Sequence, residues 1–159
     1  MKWYKHDADF RNTPTMKSIR RRLGDRGCAA AYRLLEVMTG HCGSGESFKP
    51  ELALSQSRSM YWLAEELGIT VENEYTETET VSPSKCLEVL EVFANEGFIN
   101  LKKEPAFSQN PETFKFDVPI PNSCIYVIEM PQFASMRDEY TERNGQKTRK
   151  RINVLSTPK

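Results

Sequence analysis

The side chains able to do chemistry are mostly cations, and they come in groups. Lys17, Arg20, Arg21, Arg22 and Arg26 crowd one short stretch. Lys102 and Lys103 are adjacent, and Lys147, Arg149, Lys150 and Arg151 form a cluster near the C-terminal end. Arginine and lysine in such groups suit phosphate, so the chemistry on offer is electrostatic contact with a polyanion. The overall charge hides this, because 22 basic and 22 acidic residues cancel. Their distribution does not: residues 1–34 carry a net +6, residues 35–104 a net −8, and residues 137–159 a net +4.

Catalytic and metal chemistry find little support. His41 and Cys42 are adjacent, but no second pair stands at zinc-ligand spacing and the only other histidine is His6. Nothing in the sequence orients either histidine as a base for a nucleophile. The phosphate-loop pattern GxxxxGK[ST] is absent, which argues against a P-loop ATPase or loader activity. The glutamates of 72–79 have neither the spacing nor the turn glycine of a calcium loop, and read as a solvated loop. The expectation is a protein that is no enzyme and needs no cofactor or metal.

The elements that hold the cations belong to a chain of 159 residues, enough for one domain with a real core. Thr13-Pro14 is a capping residue followed by proline at the first helical position. Met16, Ile19 and Leu23 then share a face, and Gly24 is expected to end that helix. Lys17, Arg20 and Arg21 fall on its other side, flanked by Arg22 and Arg26. Cys28, Ala31, Tyr32, Leu35 and Met38 make a second stripe, stopped by Gly40, and a third helix is expected over 56–67. Ser82-Pro83 repeats the cap and opens a fourth, over 82–96, with Gly97 closing it.

Strands are expected at 98–102, 114–118 and 124–128, with a hairpin loop over 104–113. A further helix is expected over 132–143, and 2–6 passes as a short strand. Helices followed by a β-hairpin give the order of a winged helix-turn-helix. The expected fold is therefore α+β but mainly helical: a three- to four-helix core, a hairpin wing and a C-terminal helix. The domain would occupy 1–143 and a flexible basic tail 144–159. The four cysteines are scattered and are expected as free thiols, and Trp62, Phe93 and Phe98 as core. No apolar run is long enough for a membrane span, and the start lacks a signal-peptide core; the expected location is the cytoplasm.

Several short motifs also resemble a known family. Lys2-Trp3-Tyr4-Lys5-His6-Asp7, Arg22-Leu23-Gly24-Asp25-Arg26-Gly27 and Tyr32-Arg33-Leu34-Leu35-Glu36 look like an uncharacterised N-terminal domain of bacteriophage and prophage replication proteins. Glu96-Gly97-Phe98-Ile99 and Arg137-Asp138-Glu139-Tyr140-Thr141 fit as well, so the resemblance spans about residues 2–143. Members of this type resemble replisome organisers and helicase-loading proteins. The resemblance implies a winged-helix module in initiation of phage-type DNA replication, working in the bacterial host cell. It supplies no catalytic residues. Such proteins usually continue into a helicase-contacting domain, so helicase loading is not expected of these residues alone.

Two readings stay open. In one, the chain binds duplex or single-stranded DNA through the basic first helix, the base of the wing (Lys102, Lys103) and the tail, with Lys85 on the helix over 82–96. In the other, that helix, which also carries Glu88, Glu91 and Glu96, repels phosphate and docks a replication partner or a second copy.

Overall fold

The computed structural model describes residues 10–42, 49–55 and 58–131. A short 3-10 turn, Phe10–Asn12, leads into α1 (Pro14–His41). Thr13 caps α1, its side-chain oxygen accepting from the Met16 amide at 3.3 Å. Then follow β1 (Glu51–Leu54), α2 (Met60–Leu67), β2 (Thr70–Glu72), β3 (Glu79–Val81), α3 (Pro83–Asn95), β4 (Asn100–Gln109) and β5 (Phe116–Glu129). Three strands form an antiparallel sheet in the order β1-β5-β4, and β2 pairs with β3 in a separate two-stranded sheet.

Gly24 breaks α1, as expected. At φ 71° and ψ −164° it is the single non-helical residue inside the element, and it joins two helices that meet across a kink without a loop between them. Other expectations need correction. The acidic run 72–79 is no plain loop, because its ends are strands and only residues 73–78 turn. Strand β4 runs to Gln109, through most of the expected hairpin loop, and the separate strands at 114–118 and 124–128 are one strand, β5. Strand β1 had no expectation at all.

The mainly helical winged helix-turn-helix is thus overturned. Among the described residues the fold is α+β with three helices and two antiparallel sheets of five strands in total, about 46% helical and 30% strand. The expected strand at 2–6, the helix over 132–143 and the tail over 144–159 lie outside the described residues.

Apolar residues from every layer meet in one core. Leu34, Leu35 and Met38 of α1 pack with Leu63 and Leu67 of α2, Leu90 and Phe93 of α3, and Leu52, Ile128 and Met130 from the sheet. An aromatic chain fastens the start of α1 to the end of α3. Phe93 meets Phe98 edge-on at 5.4 Å, Phe98 tilts against Phe10 at 6.1 Å, and Phe10 meets Tyr32 edge-on at 5.5 Å. Such pairs stabilise beyond the area they bury.

The thiols follow the packing. Cys28 and Cys86 are buried and free, Cys42 is buried, and Cys124 is free and half-exposed on β5. Burial pushes the Cys86 thiol up to about 12, so almost none of it is thiolate at pH 8. Native protein treated with a maleimide at pH 8 is therefore expected to label at Cys124 first, with Cys86 silent until denaturant is added. Mass mapping of the adducts checks this, and rapid native labelling of Cys86 would contradict it.

Candidate nucleic-acid interface

The bend at Gly24 decides where the cations go. It turns α1 beside the first turns of α3 and the start of β2, and an open cleft of about 260 Å³ lies between them. Arg22 and Arg26 reach it from α1 and Lys85 from α3, so residues far apart in sequence share one mouth. Leu23, Gly27, Ala30, Ile69 and Val89 give the cleft an apolar floor, and Gly68 and Thr70 complete its wall. Gly68 stands at φ 66°, a left-handed conformation that caps α2 and that side-chain-bearing residues adopt at a cost. The positive end of the α3 dipole lies near Lys85 and adds to the field there.

Each rim cation already has a carboxylate beside it. Arg22 donates to Glu96 at 2.9 Å, Lys85 to Glu88 at 3.2 Å, and Arg26 lies 3.5 Å from Glu79 on β3. The Ser18 hydroxyl and then the Arg22 guanidinium hold the Glu96 carboxyl below the usual glutamate range, so it is ionised at neutral pH. All three cations remain substantially exposed, with 48% of the Arg22 side chain, 87% of Arg26 and 49% of Lys85 open to water. Water screens ion pairs of this kind, so a backbone phosphate, which likewise offers two charged acceptor oxygens, can compete for their donors.

The other expected contacts are placed differently. Lys17, Arg20 and Arg21 are exposed on the first half of α1, outside the cleft, and Arg20 pairs with Asp25 across the bend at 3.5 Å. Lys102 bonds Glu129 at 2.8 Å, which ties β4 to β5 and raises its pKa. Lys103 is exposed on β4, opposite Tyr126 in the register. Lys147, Arg149, Lys150 and Arg151 lie outside the described residues. The structure thus brings Arg22, Arg26 and Lys85 together and leaves Lys102 and Lys103 on a separate sheet.

Sequence reasoning missed the floor. Val89 stands three residues after Cys86 and four before Phe93, so its inward side was legible from helical spacing. No local signal brings Ile69 to Leu23. His41 stacks edge-on against Trp62 at 5.5 Å, and Arg58 lies 5.9 Å from the same indole ring. Among the described residues no group of three His, Cys, Asp or Glu side chains is placed to hold a metal ion, and no helix is long and apolar enough to cross a membrane. No family model matches the chain, and no curated protein or solved structure shows significant similarity to it.

Proposed function

We propose that the chain is a DNA-binding accessory module of phage- or prophage-type replication initiation, which grips phosphate through Arg22, Arg26 and Lys85. The observation that carries the phosphate contact is the convergence of these three cations on one open cleft. Lys17, Arg20 and Arg21, exposed on the first half of α1 outside the cleft, add further positive charge. The replication context rests on the sequence resemblance alone. Within this reading the tail cations, Lys103 and the paired Lys102 add contacts that carry no sequence information.

The test is fluorescence anisotropy of labelled duplex and single-stranded DNA across a salt series, with the wild-type chain, a chain ending at Asn144, and Arg22→Ala/Arg26→Ala/Lys85→Ala. Three lost phosphate contacts should lower the slope of log K against log salt by roughly 3 and weaken binding at least about tenfold at 0.1 M salt. Circular dichroism confirms the fold of the variant. An unchanged slope and affinity in the triple variant would overturn the reading.

A second reading has an observation of its own. The outer half of the β4–β5 hairpin exposes Phe107, Phe114, Phe116 and Val118, at 43%, 73%, 70% and 39%. Exposed apolar groups this close together are the usual mark of a protein contact. Glu88 and Glu91 also stay exposed on α3, where a basic partner would meet them. Concentration-dependent sedimentation without DNA distinguishes self-association through these surfaces from a monomeric DNA binder.

A further inference from the structure

Backbone phosphates need protruding cations and nothing beneath them. Here the three cations instead ring a concavity whose floor is apolar. Ile69 and Val89 are nearly buried, at 8% and 6% exposure, Ala30 is buried at 3%, and Leu23 lines the same wall. A phosphodiester has no group that gains from such a floor. A nucleobase does, because its faces are flat and poorly hydrated while its own phosphate sits one sugar away. Gly27, buried in α1, lies against the Leu23 side chain, where an added Cβ would collide with it. A base paired and stacked within a duplex cannot enter, so only an extruded, terminal or single-stranded nucleotide reaches the floor.

From this we infer that the cleft takes one unpaired nucleotide of a bound strand, its phosphate on Arg22, Arg26 and Lys85 and its base against Leu23, Ile69 and Val89. The inference rests on the phosphate-binding reading above and specifies what that site holds. Glu96, Glu79 and Glu88 are the carboxylates that the incoming phosphate displaces from Arg22, Arg26 and Lys85.

The deciding experiment compares two single-stranded oligonucleotides of equal length and charge, one carrying bases and one abasic, on the full wild-type chain at 0.15 M salt. Equal phosphate count cancels the electrostatic contribution, so any difference comes from the bases. The base-bearing strand should bind at least about fivefold more tightly, from the apolar surface that one base removes from water on the aliphatic floor. It should also shift the backbone amide resonances of Gly27, Gly68 and Thr70, which the abasic strand should leave largely in place. Val89→Phe, which fills the floor, should abolish the difference while leaving abasic binding intact; the amide shifts in the wild type decide if that variant does not fold.

Equal binding of the two strands, with both weakened in the triple cation variant, would overturn the base site and leave the phosphate contact standing. A base preference that persists in folded Val89→Phe and shifts Phe114 and Phe116 instead would overturn it in favour of stacking on the hairpin. Deoxyadenosine monophosphate saturating the same amides at lower concentration than the strand would overturn the assignment to a strand. Absence of binding by either strand would sink the phosphate reading along with it.

Discussion

Replacing Phe93 with alanine is expected to cost about 3–5 kcal/mol of folding stability, the range for deleting a fully buried aromatic ring. Phe93 has no exposed surface and sits where α3 ends against the turn into β4. Its ring is packed edge-on by Phe98, and its carbonyl accepts the amides of Phe98 and Ile99 at 2.9 and 3.5 Å. Alanine keeps the carbonyl, so the backbone turn survives while the cavity beneath it opens. The aromatic chain through Phe98, Phe10 and Tyr32 then loses its anchor. Against the roughly 5–15 kcal/mol that holds a typical domain folded, this is a large fraction. Urea unfolding followed by circular dichroism measures it, with Phe114→Ala, at a side chain 73% exposed, as a control expected within about 0.5 kcal/mol of wild type. A loss below about 1 kcal/mol at Phe93 would mean that the core can collapse around the missing ring.

The second large effect belongs to Gly24. Its φ of 71° with ψ of −164° lies in a region essentially reserved for glycine, where another residue costs about 1–3 kcal/mol. An added Cβ would meet nothing within 4 Å, so the cost of Gly24→Ala is backbone strain and not crowding. Gly40 supplies the contrast. It lies in the last turn of α1 with a helical backbone, and its added Cβ also meets open space. Gly40→Ala should therefore gain about 0.5–1 kcal/mol, since alanine loses less freedom in a helix. The two variants together separate the bend from the general effect of removing a glycine. If both stabilise, the bend at Gly24 carries no strain for alanine and α1 can straighten. On the phosphate-binding reading proposed above, a straightened α1 would also part Arg22 from Lys85, and DNA affinity would then fall with Gly24→Ala and hold with Gly40→Ala.

What could be read in advance was mostly punctuation. The pairs Thr13-Pro14 and Ser82-Pro83 each mark a helix start correctly, because a side-chain oxygen before proline satisfies amides that the first turn leaves open. The end of α2 at Gly68 was equally plain. Gly24 marked its break as well, since glycine after an apolar stripe signals a stop, but nothing in the local pattern says that the second helix begins without a gap. Strand β1 does alternate, with Leu52 and Leu54 inward and Glu51 and Ala53 outward, yet four residues are too few to stand out. The β2–β3 hairpin was hidden by its own charge: Val71 and Val81 are strand residues, but the glutamates between them read as loop. The cations of the cleft were all visible as residues. Their meeting was not, because it depends on the angle at Gly24 and on how α3 lies against α1.

The irregular stretch of β5 has a consequence for how the molecule keeps to itself. Residues 126–129 of β5 are covered by β1, while among the described residues the outer half of the strand pairs with β4 alone. An uncovered edge beside exposed phenylalanines invites strand addition from a neighbour and growth into fibres. The register breaks between Pro105 and Phe107 of β4, where β5 jumps from Cys124 to Pro119, and within that jump stand Pro121 and Asn122, the latter at φ 59°. None of Pro105, Pro119 and Pro121 can donate a backbone hydrogen bond, and the left-handed asparagine twists the strand out of line. An approaching strand would find the ladder interrupted after a few residues. The hairpin can thus display its aromatic side chains to a partner without offering its backbone as a template for polymerisation.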